Sequence, residues 1–162
     1  MYVWSDHSFR PKQGFYFSGS RAGRIEPGTI RDYIRRMSTC KIIRRGRGEG
    51  FHGKQGLDYF SGISAESTGS KAICMHMLEM PPGAEAKPHF HEAHETAIYM
   101  LEGAAEFRHG NGLEHHDRVE AGDFIYIPAG VPHQPFNPTN QVARALIART
   151  DPNEQESVAL LK

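Results

Sequence analysis

Along the chain, apolar residues gather in short runs cut by glycine, proline and small polar residues. KII at 41–43, LDYFSGIS at 57–64, AICMHMLEM at 72–80, TAIYMLEG at 96–103, AAEFRHG at 104–110 and DFIYIP at 123–128 each have the length and composition of a strand. STGS, PPG, HGNG, AGD and PAGVP separate them. Turn signals at such regular spacing predict an all-β sandwich or barrel rather than strands alternating with helices. VARALIAR at 142–149 reads as one more buried strand or as a helical turn, which periodicity does not separate. Two short helices are expected outside this series. Thr29 offers a cap for one in the basic stretch EPGTIRDYIRRM. Asp151, Pro152 and Glu154 make an N-cap, a first-turn proline and a capping-box partner for one over ESVALL near the C-terminus. The pattern divides the chain into an N-terminal extension, residues 1–40, and a barrel domain, residues 41–162.

Length and composition fit that reading and narrow the function. At 162 residues the chain is the size of one domain with a substantial core. With 38% hydrophobic and 23% charged residues it has the composition of a soluble globular protein, and no apolar run approaches the roughly 18 residues of a membrane span. The opening MYVWSDHSFR lacks the charged-then-apolar pattern of a secretory leader, so a cytoplasmic protein is expected. Cys40 and Cys74 form no disulfide framework or Cys-x-x-Cys pair. The zero net charge hides an asymmetry, because residues 1–48 hold 11 Lys or Arg against 3 Asp or Glu while the remainder is acidic. Such an arm is expected to pack on an acidic body, its own or that of a second copy, and Phe15, Tyr16 and Phe17 suit it to crossing onto another subunit; a homodimer follows. Nucleic acid is not expected as a partner, since no reading motif accompanies the arginines of KIIRRGRGEG.

Eight of the ten histidines lie between His76 and His133. His89 and His91 are separated by one residue, so on a strand both side chains leave the same face, roughly 6.6 Å apart along the chain, close enough to reach one ion. His94 and Glu95 follow at once. His133 lies beyond two turns in IPAGVPHQPFN, where a later antiparallel strand can bring it opposite the first pair. His109, His115 and His116 sit in the polar stretch RHGNGLEHHDRVE, read as a hairpin connection with exposed histidines. His76, alone on its own run, reads as a satisfied interior histidine rather than a ligand.

PGAEAKPHFHEAHETAIYMLEG and GDFIYIPAGVPHQPFN resemble the two motifs of the cupin superfamily. In the second, Gly122, Pro128, Gly130, His133 and Asn137 fall on every position of the family pattern; in the first, Gly83, His89, His91 and Gly103 fit, but the glutamate position does not fall cleanly. Glu95 has the family's glutamate spacing from His91, whereas counting back from Gly103 puts Thr96 in that slot. Either a bulge turns Glu95 inward or His94 ligates in its place. HEAHETAIYMLEG and the tail ARTDPNEQESVALL are similar to a group of small stand-alone bacterial cupins labelled predicted mannose-6-phosphate isomerases. The resemblance covers about residues 72–150 and implies a single-domain jelly-roll β-barrel, here with a basic N-terminal extension and a short C-terminal helix. It also implies a metal inside one mouth, with His89, His91, Glu95 and His133 as ligands.

Imidazoles with one carboxylate suit a single divalent transition ion, zinc, iron, manganese, nickel or copper, and leave positions open for substrate. The expected function is a metal-dependent enzyme acting on a small oxygen-rich molecule, a sugar, hydroxy acid or dicarbonyl compound, by isomerase-type or dioxygenase-type chemistry. Glu95 and His94 are the candidate proton carriers. The alternative is a binding module without turnover. Recognition of a phosphate would fall to Lys87, Arg108 and Arg118, with no glycine nest beside them.

Overall fold

A computed structural model describes residues 40–44, 50–153 and 157–161. The expected arm, apart from Cys40, and its basic helix lie outside these residues. The described residues contain eleven strands and one short helix. In chain order these are β1 (Gly50–His52), β2 (Asp58–Ile63), α1 (Ala65–Thr68), β3 (Cys74–Met80), β4 (His89–His91), β5 (Thr96–Glu102) and β6 (Ala104–His109). Then come β7 (His115–Glu120), β8 (Phe124–Ile127), β9 (His133–Phe136), β10 (Ala143–Arg149) and β11 (Val158–Leu160). They form two antiparallel sheets, one in the order β1-β2-β3-β10-β5-β8 and the other in the order β11-β4-β9-β6-β7.

Period-two alternation decides what each strand contributes. On β3, Cys74, His76, Leu78 and Met80 point inward, on β5 Thr96, Ile98 and Met100, and on β10 Ala143, Ala145, Ile147 and Arg149. Leu57, Tyr59, Phe107 and Ile127 join the apolar members of that set to fill the space between the sheets. VARALIAR is therefore a strand, paired in register with β3 from Ala143↔Met80 to Arg149↔Cys74.

Two short predictions are corrected. KII at 41–43 is not a strand: Ile42 is exposed, and the first ladder among the described residues starts at Gly50. The expected C-terminal helix is overturned where the chain is described, because Val158–Leu160 is extended and pairs with β4 as Val158↔His91 and Leu160↔His89. The local capping signal of Asp151 and Pro152 loses to ladder hydrogen bonds and burial of Val158, a tertiary gain that a four-to-six-residue helix cannot match alone.

The turns hold the strands in place through side chains and glycines. Asn137 donates from Nδ2 to the carbonyls of Met80 and Gln141, at 2.9 and 2.8 Å, and accepts from the Thr139 amide, which ties the corner after β9 to the end of β3. Asp123 Oδ2 likewise accepts from the Glu120 amide at 2.8 Å. Gly103, the single residue between β5 and β6, has φ +74°, and a Cβ there would stand 2.5 Å from the Val142 carbonyl oxygen. Gly122 also has positive φ, but a Cβ would meet nothing within 4 Å. Gly103→Ala is therefore expected to cost about 1–3 kcal/mol and Gly122→Ala less, read as the shift in urea midpoint. Equal shifts would show that the close approach at Gly103 is relieved cheaply.

Candidate metal centre

His89 and His91 take the two inward positions of three-residue β4, with Phe90 turned the other way. His133 opens β9 directly opposite His89, and the Gly130 amide donates to the His91 carbonyl at 2.7 Å, tying the Pro-Ala-Gly turn to the same strand. The three rings converge. Centroids lie 4.3 Å apart for His89 and His133, 5.0 Å for His91 and His133, and 5.3 Å for His89 and His91. One nitrogen from each falls within 4.8 Å of the other two, and all three residues are buried.

Their protonation suits a metal. His89 Nδ1–H donates to the Lys87 carbonyl at 2.8 Å and His133 Nδ1–H to the Val131 carbonyl at 2.9 Å, which leaves each Nε2 with its lone pair. His91 Nδ1 is buried without a hydrogen-bond partner among the described residues. Burial pushes His89 down to about 4 and His133 to about 3, and burial, with Arg149 and the neighbouring imidazoles adding to it, holds His91 lower still. All three are neutral near pH 7, the state in which imidazole binds a cation. The residues present therefore fit a divalent transition ion with three nitrogen donors.

The expected carboxylate is not with them. Glu95 is exposed, and its Oε1 accepts from the Tyr126 hydroxyl at 2.6 Å. The physical reason is register: from Thr96 to Met100 β5 pairs without a bulge, starting as Thr96↔Ile127 and Thr96↔Arg149, so Thr96 takes the inward position and Glu95 faces out. Thr96 Oγ1 is buried and has no hydrogen-bond partner. His94 is buried with its ring 4.3 Å from that of His91, but it does not line the cavity. Its Nδ1 meets the Ser157 hydroxyl and lies 3.7 Å from Asp151 Oδ2, while Nε2 is buried without a partner.

The cavity beside the three imidazoles is walled by Tyr59, Thr96, Ile98, Phe107, Ile127 and Arg149 among others. It offers about 30 Å³ to the centre of a water-sized sphere, where one water needs roughly 10–15 Å³. Tyr59 and Arg149 were not legible as site residues from motifs. The signal lay in the alternation of ARALIAR, whose inward phase runs through Ala143, Ala145 and Ile147 to Arg149. Tyr59 is buried, accepts from Gln55 Nε2 and lies under the Arg149 guanidinium, 5.7 Å from its ring centroid.

The other histidines sort as follows. His76 is interior, edge-on to Phe51 and pushed down to about 4 by burial, and it stands outside the trio. His109 ends β6, and His115 and His116 begin β7, so they sit on strands rather than in a loop; His109 contacts Asp117 and His116 contacts Glu106. Lys87, Arg108 and Arg118 do not line the cavity, and Arg108 and Arg118 pair with Glu85 and Glu120.

The buried imidazoles make a pH prediction. They stay neutral in the folded chain down to about pH 3–4 but protonate near 6.5 once unfolded, so between those limits the unfolded state binds more protons and acid favours it. Metal-free protein is expected to lose thermal stability steadily as pH falls from 6.5 toward 4. A Tm that is flat across that window, followed by calorimetry, would contradict the buried neutral state.

Comparisons with known proteins agree with this architecture. Residues 76–149 match the family model described as Cupin domain. No curated protein matches. Among solved structures, the polyketide cyclase RemF from Streptomyces resistomycificus is 25% identical, with 76% of this chain and 87% of that one covered at a TM-score of 0.63. A putative sugar phosphate isomerase from Acidithiobacillus ferrooxidans is 21% identical over 65% and 68%, at a TM-score of 0.54. Oxalate decarboxylase from Bacillus subtilis is 20% identical over 76% of this chain and only 33% of its own length, at a TM-score of 0.62. With two antiparallel sheets closed over an inward histidine trio, the chain has the cupin fold, and residues 76–149 are the part that matches the cupin family model.

Proposed function

We propose that this protein is a metal-dependent enzyme acting on a small oxygen-rich molecule, with His89, His91 and His133 as the metal ligands. The observation that carries the reading is the convergence of three buried imidazoles, two of them fixed in one tautomer by the Lys87 and Val131 carbonyls. Bound there, a redox-inert ion would polarise a substrate oxygen and acidify the adjacent C–H, giving isomerase-type chemistry, and iron(II) would add dioxygenase-type chemistry. The chain's own contribution is to orient and to exclude water. Ile98, Phe107 and Ile127 keep the cavity apolar, and Tyr59 and Thr96 place two hydroxyls in its wall. His94 backs His91, and its neutral ring, held by Ser157 and Asp151 on Nδ1, sets the position of the His91 imidazole. The small cavity and the outward pairing of Arg108 and Arg118 favour a compact substrate over a phosphosugar.

A binding module without turnover is the second reading. It draws support from the lining, which among the described residues holds no carboxylate to serve as a base. Turnover in isomerase and oxygen-consumption screens would separate the two. A homodimer suits either reading, since Phe124 and Tyr126 on edge strand β8 are 82% and 61% exposed; sedimentation at a monomer's mass would contradict it.

The ligand assignment is tested by metal analysis of untagged protein by mass spectrometry. His91→Ala is expected to abolish stoichiometric metal, whereas His116→Ala and Glu95→Gln retain it, because both of those side chains are exposed and engaged elsewhere. Retention by His91→Ala would sink the assignment.

A further inference from the structure

The row of paired positions that carries His89 and His133 continues beyond them. β9 pairs with β6 as His133↔His109, and β6 pairs with β7 as His109↔His115, so four histidines stand side by side across the sheet, one to a strand. Directly paired residues share a face, and on β6 that face is the one that buries Ala105 and Phe107. Burial falls along the row. His89 and His133 are buried, the His109 side chain is 38% exposed and the His115 side chain 63% exposed. The outer pair reaches solvent at β7, the edge strand of its sheet.

Metal-binding groups gather around that outer pair. The His109 and His115 rings lie 5.2 Å apart between centroids, tilted by 30°. Asp117, two residues after His115 and on the same face, accepts from His109 Nε2–H at 2.8 Å, which leaves the neutral ring its lone pair on Nδ1. Glu114 Oε2 accepts from the Gly112 amide at 2.8 Å, and its Oε1 stands 3.7 Å from His115 Nε2. Among the described residues neither carboxylate is paired with a lysine or arginine. The arginines of these two strands, Arg108 and Arg118, alternate onto the opposite face, where they pair with Glu85 and Glu120.

We infer that His109, His115 and Glu114 form a second site for a divalent transition ion, at the exposed edge of the sheet whose interior carries the trio. Two imidazoles and one carboxylate suit zinc, copper(II) or nickel, with water in the remaining positions. The donor atoms are not gathered on one point as those of the trio are; rotation about the side-chain bonds of these three exposed or half-exposed residues closes the gap while both strands stay in register. Charge separates the two sites. The trio is neutral, whereas Glu114 and Asp117 bring two carboxylates to the edge, so the outer site draws a cation by its field as well as by ligation. Its exposed donors let the ion exchange with solvent, so desalting strips the edge site and the metal content of purified protein reports the trio alone. The edge site does not depend on the trio holding a metal.

The test is calorimetric titration with zinc of the full chain after incubation with zinc and desalting, with retained metal measured on every sample. Wild type is expected to bind about one further equivalent per chain, released again by a second desalting. His115→Gln and Glu114→Gln should each weaken that equivalent about tenfold or more with retained metal unchanged. His116→Gln, one residue along on the opposite face, should leave it as in wild type. No further equivalent in wild type, one that survives His115→Gln at full affinity, or one that His116→Gln weakens equally would overturn the proposal. Should wild type retain no metal after desalting, the metal reading of the trio fails and the exchangeable equivalent alone judges the edge site. Its loss in His115→Gln with survival in His91→Ala would then support the site, and any other pattern would overturn it.

Discussion

His89 and His133 meet across β4 and β9 at a single paired position, with ring centroids 4.3 Å apart. Much of the surrounding structure serves to keep those two imidazoles aimed inward, neutral and dry. β4 is only three residues long and is held on both sides, by β9 through that one pair and by β11 through three. A slip of one residue in either pairing would turn His89 and His91 to the outside and Phe90 to the centre. The hydrogen bonds from Nδ1 to Lys87 and Val131 act at the next level, because the ring that donates there has one remaining nitrogen, and its lone pair faces the other rings. The carbonyls belong to the residues two positions before each histidine, so backbone extension itself fixes the tautomer.

Polar groups inside a barrel of this size are expensive unless something satisfies them. The interior divides accordingly. One end is filled by Leu78, Met80, Met100 and Ala143, with Ala105 and Phe107 across from them, and makes an ordinary apolar core. The other end gathers His89, His91, His133, Thr96, Tyr59 and Arg149 along the same cavity. Burial keeps the histidines uncharged, so the only fixed charge in that polar set is the arginine. A site built from neutral ligands differs in kind from one with a carboxylate ligand: it holds a metal less by charge than by geometry.

Much of this was legible in the sequence, for identifiable reasons. The strands β2, β3, β5, β6 and β8 were visible because each is a short apolar run closed by glycine or proline, and His89, His91 and His133 because their spacing only makes sense on paired strands. Glu95 was misplaced because two spacings conflict, the one from His91 and the one from Gly103, and only the β5 register decides between them. The tail was read as a helix because Asp151 and Pro152 are genuine helix-start signals, whereas the exposed edge of β4 that recruits Val158–Leu160 is created by residues sixty positions earlier. KII had strand composition but pairs with no strand among the described residues. Arg149 escaped because a motif search looks for histidines and carboxylates, while its importance comes from the phase of β10.

That phase also explains how one strand can serve both ends of the barrel. β10 lies between β3 and β5 at the centre of its sheet, so its inward residues are surrounded on both sides. Ala143 and Ala145 are small enough to let Met80 and Met100 fill the apolar end beside them, as Ile147 leads toward the polar end. Arg149 then emerges opposite Thr96, where the neighbouring strand offers only a hydroxyl. With threonine there the cross-strand pair joins a guanidinium to a hydroxyl, so the polar character of this end of the barrel is set by the register of β10 against β5.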